Sequence, residues 1–97
     1  MRKTKIICTL GPSTDSPEIL EAMMKSGMDV ARFNFSHGTH EDHKRRLEML
    51  KDLRKKLNIP VAALLDTKGP EIRLKTFEKG EVYLETGQHF TLTAREV

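Results

Sequence analysis

Residues 30–38 read Val-Ala-Arg-Phe-Asn-Phe-Ser-His-Gly, a short run in which polar and apolar side chains alternate. Because successive side chains of a β-strand point to opposite faces of the sheet, this alternation predicts a strand. Arg32, Asn34 and Ser36 then share one face. The aromatic rings of Phe33 and Phe35 share the other. An arginine in a covered sheet is costly unless an anion or an acidic side chain meets it.

Two explanations account for Arg32 in this strand. It can form a structural ion pair, with Asp29 or Asp66 as the partner. It can also bind an anion, because the planar guanidinium matches the geometry of phosphate and carboxylate groups. Its position favours the anion, since polar side chains at the carboxyl ends of parallel strands build the sites of α/β proteins.

The flanking sequence alternates between short apolar runs and longer amphipathic stretches. Three apolar runs predict strands, at 5–10, 28–35 and 61–65. The third is continuously apolar, which is typical of a strand covered on both faces. Ser16 and Thr39 are predicted N-caps of two helices, which end at Gly27 and Asn58. The order strand, helix, strand, helix, strand predicts an α/β fold with a parallel sheet built from right-handed βαβ units.

The pattern changes after Pro70. Three short alternating runs there predict antiparallel strands, at 71–74, 81–84 and 89–93. Turn signals around Gly80 and Gly87 separate these runs. A boundary between two structural units is therefore predicted near residues 69–72.

Polar side chains also follow the third predicted strand. If the strands are parallel neighbours, Asp66 and Thr67 end beside Asn34 and Ser36. Together they offer an amide oxygen, a hydroxyl, a carboxylate and backbone carbonyls, an all-oxygen set suited to a hard cation. A single carboxylate favours an ion of modest charge. The alternative is that Asp66 is a turn or cap residue, which is common after strands.

The histidines His37, His40 and His43 are spaced three apart, which can indicate a zinc site. On a helix, side chains at this spacing drift around the axis, and no cysteine or second cluster completes a zinc site. The favoured interpretation is that His43 continues the apolar face of the second helix and that His40 lies at its start.

The second helix carries a basic run at 44–46, which can indicate a nucleic-acid surface. Three acid-to-base pairs lie at i,i+4 spacing: Glu41–Arg45, Asp42–Arg46 and Asp52–Lys56. Such pairs neutralise acidic and basic side chains within one exposed helix, so fewer charges are left to bind a polyanion. No aromatic side chain lies between these basic residues, although binding of single-stranded nucleic acid would require aromatic side chains on which nucleobases stack. A solvated helix face is the better explanation.

Length and composition limit the size and the class of this protein. The chain has 97 residues, 32% of them charged, and a net charge of +3. Its length supports one small domain at most. No apolar run approaches the roughly 20 residues of a membrane span, and no signal peptide is evident. The single cysteine, Cys8, cannot form an internal disulfide, which fits a reducing cytosol.

Three stretches, 5–13, 31–40 and 65–73, resemble motifs of the pyruvate kinase family in its bacterial form. The resemblance runs from about Lys3 to the end of the chain. It implies that residues 1–70 form the first three strands and two helices of a (β/α)8 TIM barrel. Residues 71–97 would begin a small β-rich lid domain that is inserted after the third strand. The length then indicates a truncated enzyme rather than a complete small domain.

The resemblance implies transfer of the phosphoryl group of phosphoenolpyruvate to ADP, giving pyruvate and ATP, with Mg²⁺ or Mn²⁺ and K⁺ as cofactors. Arg32 would contact the substrate or the transferring phosphoryl group. Four residues would hold potassium: Asn34, Ser36, Asp66 and, through its carbonyl, Thr67. The ATP/ADP side would be formed by Asn34, Ser36, His37 and Arg73. Glu71 matches the position at which potassium-requiring members carry a glutamate.

The family's transition-state lysine and divalent-metal ligands have no match in these residues, so the isolated chain is predicted to be inactive and marginally stable. The resemblance further implies a cytoplasmic homotetramer that binds neither nucleic acid nor membranes. The alternative, from another class of function, is a stand-alone basic module that binds nucleic acid or nucleotides through the second helix.

Overall fold

A computed structural model describes residues 2–95 and contains one parallel sheet with two helices. The strands are β1 (Ile7–Thr9), β2 (Val30–Asn34) and β3 (Ala62–Asp66), paired in the order β1-β2-β3. The helices are α1 (Pro17–Ser26) and α2 (His40–Leu57), and a 3-10 turn spans Pro12–Thr14. The predicted order of strands and helices is confirmed. The last two residues of the predicted 71–97 unit lie outside the described residues, as does residue 1.

The first helix begins and ends as its sequence predicts. The Ser16 hydroxyl accepts a hydrogen bond from the Ile19 amide (3.2 Å), and Pro17 occupies the first helical position, where an amide proton would have no helical partner. Gly27 ends the helix in the left-handed region, at φ 119°, and its amide donates back into the last turn. Local sequence therefore fixes both ends of α1.

A reciprocal cap between Thr39 and Asp42 starts α2. The Asp42 amide donates to the Thr39 hydroxyl (3.1 Å), and the Thr39 amide donates to the Asp42 carboxylate (3.2 Å). The hydrogen bond from the Thr39 amide lowers the pKa of Asp42. Asn58 ends the helix in the left-handed region. The cap fixes the length of the connection 35–39 that joins β2 to α2. Within residues 2–95 neither helix is long and apolar enough to cross a membrane.

The core lies between the two helices and one face of the sheet. Leu20 of α1 and Leu50 of α2 are fully buried, and Ala31 and Phe33 of β2 are buried in the same cluster. Burying one leucine side chain contributes about 1.5–3 kcal/mol. The intervening residues of β2 are only half-buried, so the predicted alternation of this strand is confirmed. The polar face of β2 thus points away from the helices.

Strand β3 departs from its prediction. Its apolar sequence predicts cover on both faces, but Ala62, Ala63 and Leu65 are exposed, Leu65 to 61%. The strand lies at the edge of the sheet and pairs only with β2, which leaves its other edge open. The prediction of cover on both faces is therefore wrong for this chain by itself.

Residues 67–95 form no strand or helix. Turns do form at both predicted places, since the Gly80 amide donates to the Phe77 carbonyl (2.9 Å) and the Gln88 amide donates to the Glu85 carbonyl (3.1 Å). The prediction of three antiparallel strands is wrong for this chain, namely those at 71–74, 81–84 and 89–93. An extended segment becomes a strand only when a neighbour satisfies its backbone donors and acceptors.

The shape of the chain reflects this open segment. Its apolar side chains are exposed, for example Leu92 to 67% and Ile72 completely. The rings of Phe77 and Phe90 lie 6.3 Å apart and bring two parts of the segment together. The radius of gyration is 18.8 Å, against roughly 13 Å for a compact chain of this length.

Candidate functional site

The carboxyl ends of β2 and β3 lie side by side. Asn34 and Asp66 are partners in the parallel register, and the Phe35 amide donates to the Asp66 carbonyl (2.9 Å), which extends the pairing by one step. The register therefore brings the polar ends of the two strands to one edge of the sheet, as the sequence predicts for parallel neighbours. Thr67 follows directly and is exposed.

Arg32 bridges all three strands on the polar face of the sheet. Its Nε donates to Asp66 Oδ2 (3.0 Å), its Nη2 donates to the same oxygen, and its Nη1 donates to the Thr9 hydroxyl (2.9 Å). Of the two predicted ion-pair partners, Asp66 is the correct one. Asp29 instead accepts from the Ile6 amide. The arginine side chain remains one-third exposed (33%), so a bound anion can still reach it.

The connection after β2 begins with a turn built on Asn34. Its Oδ1 accepts from the Ser36 amide (3.0 Å), and its backbone carbonyl accepts from the His37 amide (3.2 Å). Ser36 and His37 are exposed. The turn therefore presents the Ser36 hydroxyl and the His37 side chain at the same edge of the sheet as Asp66.

His43 is the buried member of the three histidines. Its Nε2 lies 2.7 Å from the His37 carbonyl oxygen, and its ring stacks on Phe35 with the centroids 4.4 Å apart. It is 5% exposed, which confirms that it continues the apolar face of α2. His40 is the first residue of α2, as predicted. His43 therefore serves the packing of the connection, and no group of three potential ligands among residues 2–95 is placed to hold a metal ion.

Sequence patterns did not reveal the contact between His43 and the His37 carbonyl. The one available signal was a histidine on an otherwise apolar helix face, six residues after the turn that it contacts. A polar ring in such a position requires a partner, because an unpaired buried donor costs free energy.

Several oxygens at the sheet edge are available to a cation. Within the described part of the chain, neither the Ser36 hydroxyl nor Asp66 Oδ1 makes a hydrogen bond. The Asn34 amide oxygen holds the Ser36 amide, and an amide oxygen can still accept a second partner. One carboxylate with neutral oxygens fits a monovalent cation better than a divalent one.

Arg73 lies apart from these residues. Its Nε and Nη2 donate to the Glu71 carboxylate (3.1 and 3.0 Å), and Lys68 Nζ lies 3.6 Å from the same group. The bond from Arg73 lowers the pKa of Glu71 and raises that of Arg73. No hydrogen bond or ion pair in residues 2–95 connects this group with the strand ends. The structure thus brings together six of the seven predicted site residues but leaves Arg73 outside.

The basic residues of α2 have different partners from those predicted. Arg46 donates to both Asp15 oxygens (2.6 and 2.9 Å), and Arg45 also reaches Asp15 (3.2 Å). Arg45 pairs with Asp42 rather than with Glu41, and Lys56 lies 4.0 Å from Glu21 of α1. None of the three predicted i,i+4 pairs comes within ion-pair distance among the described residues, although Asp42 and Arg46 still attract each other electrostatically.

These contacts bind α2 to the start of α1. The hydrogen bond from Arg46 lowers the pKa of Asp15 to about 2, and that from Arg45 acts in the same direction. Arg46 is 6% exposed. A buried, paired arginine offers no charge to a polyanion, so the structure favours a structural role for this part of the helix.

Comparison with known proteins gives the same family throughout. The family model described as "Pyruvate kinase, barrel domain" matches residues 1–97. The pyruvate kinase of Chlamydia muridarum is 54% identical over 95 residues, which are 98% of this chain and 20% of the relative. The pyruvate kinases of Staphylococcus epidermidis and Staphylococcus aureus are each 50% identical over 97 residues, which are 100% of this chain and 17% of the relative.

The chain spans about a fifth of the length of these relatives. The match nevertheless includes every strand, both helices and all residues of the sheet edge. Because the family model covers the whole chain and the relatives share half of its residues, the chain belongs to the pyruvate kinase family.

Proposed function

We propose that this chain is part of an enzyme that transfers the phosphoryl group of phosphoenolpyruvate to ADP, giving pyruvate and ATP. The observation that carries the proposal is the match of the entire chain to pyruvate kinases. The joined carboxyl ends of β2 and β3 support it, because barrel enzymes bind their substrates at that end of the strands. The proposal concerns a longer protein, since the chain covers about a fifth of each relative.

Arg32 is the residue that we assign to the substrate or to the transferring phosphoryl group. Its guanidinium is held from two sides, by the Thr9 hydroxyl of β1 and the Asp66 carboxylate of β3. Phosphoryl transfer depends mainly on positioning and on the neutralisation of negative charge. A fixed, partly exposed guanidinium serves both needs without reorganising during the reaction.

Potassium is the ion that best suits the oxygens at this edge. Asn34, Ser36, Asp66 and the Thr67 carbonyl contribute a single carboxylate, and the other oxygens are neutral. Potassium bound there would supply positive charge next to the anionic substrates. The glutamate at Glu71, which matches the potassium-requiring members of the family, supports the same ion.

Mg²⁺ or Mn²⁺ is the second cofactor of the proposed reaction. The divalent-metal ligands and the transition-state lysine of the family have no match among the residues of this chain. We therefore assign the divalent-metal ligands, together with the transition-state lysine, to parts of the longer protein outside this chain.

The nucleotide is assigned to the turn after β2 and to the segment after β3. Asn34, Ser36 and His37 lie together at the sheet edge, and the last two are exposed. Arg73 would join them when residues 67–95 pack over this edge, as a lid domain would do. The pairing of Arg73 with Glu71 would then carry both side chains to the site together.

The proposed architecture is a (β/α)8 barrel with residues 1–70 in the barrel and 71–97 in an inserted lid domain. The open edge of β3 and the exposed Leu65 support a sheet that continues beyond this strand. The turns near Gly80 and Gly87 support a β-rich lid. Assembly as a cytoplasmic homotetramer is proposed from the family resemblance alone.

The experiment that tests the function supplies the rest of the enzyme. In a chimaera, residues 1–97 replace the matching segment of the Staphylococcus epidermidis relative, and pyruvate formation from phosphoenolpyruvate and ADP is followed with lactate dehydrogenase. We expect activity within about tenfold of the relative, since half of the exchanged residues are identical.

Variants of the chimaera connect the activity to this chain. Arg32→Ala is expected to lower kcat by about 100-fold or more. The matched control is Arg45→Ala, which removes an arginine that is more than half exposed on α2 and should retain activity. A chimaera that is folded and assembled but forms no pyruvate would contradict the proposed function.

A further inference from the structure

We infer that His43 is a positioning residue: it holds the turn 35–38 in the conformation that presents Ser36 and His37 at the sheet edge. The inference rests on the proposed function, because those two residues are assigned there to potassium and to the nucleotide. His43 itself lies on α2, is buried and would touch neither ligand.

The ring of His43 contacts the turn through one strong hydrogen bond. Nε2 lies 2.7 Å from the His37 carbonyl oxygen, which can only accept, so in this hydrogen bond Nε2 carries the proton and donates it. This bond comes from the helix side of the connection. The His37 amide is held from the strand side, by the Asn34 carbonyl (3.2 Å). The peptide units on both sides of the His37 side chain are thereby fixed.

Aromatic contacts fix the ring itself. It lies nearly parallel to the ring of Phe35, with an interplanar angle of 10° and the centroids 4.4 Å apart. It meets Phe33 edge-on at 6.3 Å. Gly38 adopts a φ of +75°, and a Cβ there would lie 3.4 Å from the His43 Nε2. The ring therefore closes against three successive parts of the connection: Phe35, the His37 carbonyl and Gly38.

A histidine is a costly choice for this position if packing is its only task. Its Nδ1 is buried and has no hydrogen-bond partner among the described residues. A leucine, as at neighbouring positions of the same helix face, would fill the core without leaving a polar atom unpaired. Phenylalanine could supply the ring contacts, but neither leucine nor phenylalanine can make the Nε2 hydrogen bond, so that bond accounts for a histidine at this position.

Loss of that bond should affect the positions of Ser36 and His37 but not that of Arg32. Ser36 and His37 would be freer to move, because these two residues would keep only the hydrogen bonds of their amides to Asn34. Arg32 would stay in place, since Thr9 and Asp66 hold it independently of the turn. Potassium and nucleotide binding should therefore weaken, while the binding of phosphoenolpyruvate, measured at saturating potassium, is unchanged.

The test uses three variants of the chimaera. His43→Phe keeps a stacked ring but removes the donor, and His43→Gln restores a donor near the position of Nε2. The control is His40→Phe, which alters an exposed histidine whose ring also lies near Phe35 (5.7 Å). The readouts are the rise in Tm on replacing tetramethylammonium by potassium, the KM for each substrate, and hydrogen exchange of the Ser36 and His37 amides.

We expect His43→Phe to speed exchange of the two amides and to weaken potassium binding about tenfold. At saturating potassium it should raise the KM for ADP about tenfold and leave the KM for phosphoenolpyruvate unchanged. His43→Gln should restore these values in large part, and His40→Phe should resemble the unaltered chimaera. If His43→Phe lowers Tm but leaves amide exchange and potassium response unchanged, the residue is only a packing residue and the inference is wrong. The proposed function fails separately, when the unaltered chimaera forms no pyruvate, and the exchange measurement still decides the role of His43.

Discussion

Two donors of Arg32, Nε and Nη2, converge on a single oxygen of Asp66, its Oδ2. The other oxygen, Oδ1, makes no hydrogen bond within residues 2–95. One carboxylate can therefore neutralise the arginine with one oxygen and offer the second to a cation. The two side chains are 33% and 40% exposed, so the pair remains open to ligands from solvent. Their arrangement would join the proposed anion site and the proposed cation site through one side chain.

This shared carboxylate predicts coupling between potassium and the arginine. Asp66→Ala in the chimaera should raise the potassium concentration for half-maximal activity by about tenfold or more, because it removes the only carboxylate of the set. In the Asp66→Ala background, Arg32→Ala should lower activity by a smaller factor than it does alone, since the arginine has already lost its partner. The measurement is potassium activation of pyruvate formation for both single variants and the double variant. Asp52→Ala, an exposed acid on α2, is the control. Unchanged potassium activation in Asp66→Ala would remove Asp66 from the proposed ion site.

A second prediction separates charge from geometry at Arg32. Arg32→Lys keeps the positive charge, but an ammonium group cannot donate to Thr9 and Asp66 in the fixed planar arrangement that guanidinium provides. We expect kcat to fall by about 100-fold, with KM for ADP little changed. Arg45→Lys on α2 serves as the matched exchange and should retain full activity. If Arg32→Lys is as active as the unaltered chimaera, positive charge alone is sufficient, and the planar geometry of the guanidinium held by Thr9 and Asp66 does not matter.

Asp15 predicts a dependence of stability on pH. Its pKa is lowered from 3.8 to about 2, chiefly by the hydrogen bond from Arg46. A pKa that is lower in the folded than in the unfolded chain stabilises the fold above the unfolded pKa, and this contribution is lost as pH falls from about 4 to about 2. Asp15→Asn should therefore cost about 1–2 kcal/mol at pH 6, a value that allows for solvent screening of a partly exposed carboxylate.

Thermal unfolding of the chimaera checks this prediction. The difference in Tm between the unaltered chimaera and Asp15→Asn should be clear at pH 6 and smaller at pH 3. Asp52→Asn, which removes an acid that has no ion-pair partner among the described residues, should show no such dependence. An equal difference in Tm at both pH values would mean that Asp15 stabilises the fold by packing and not by its charge.

The parts of the fold that were predicted correctly depend on neighbours in sequence. The caps at Ser16 and Thr39 are formed by residues three positions apart, and the alternation of β2 follows from strand geometry. The meeting of Asn34 and Asp66 required one further step, because parallel neighbours end at the same edge. Each of these inferences needs only local chemistry and the order of the elements.

The ion pairs of α2 were predicted incorrectly because their partners lie far away in the sequence. The i,i+4 rule paired Arg46 with Asp42, but Asp15, which is 31 positions away, offers a bidentate contact across the helices. The bond between His43 and the His37 carbonyl likewise depends on how α2 packs over the turn. Sequence periodicity records which face of a helix is buried and contains no information on what the other element places opposite it.

The isolated chain provides a fourth prediction. Ile7 of β1 and Leu65 of β3 are more than half exposed, and the sheet has two open edges. Three strands cannot close a barrel of eight. The 97-residue chain should therefore bind a dye that reports exposed apolar surface, melt over a broad temperature range and form no pyruvate. A sharp, cooperative melt together with pyruvate formation would show that these residues are a complete enzyme.

The fifth prediction concerns residues 71–95, whose sequence alternates as in strands although no strand forms. Turns are already present at Gly80 and Gly87, and the apolar side chains of the three runs are exposed. The missing component is therefore a set of partners for the backbone, which the remainder of an inserted domain would supply. Amides at 71–74, 81–84 and 89–93 should exchange rapidly in the isolated chain and at least about 100-fold more slowly in the chimaera. Glu78 and Lys79, which lie in a turn and whose amides donate no hydrogen bond within the described residues, serve as the internal comparison and should exchange rapidly in both. If the three runs stay unprotected in an active chimaera, they are not strands of a lid domain, and the proposed boundary near residue 70 is wrong.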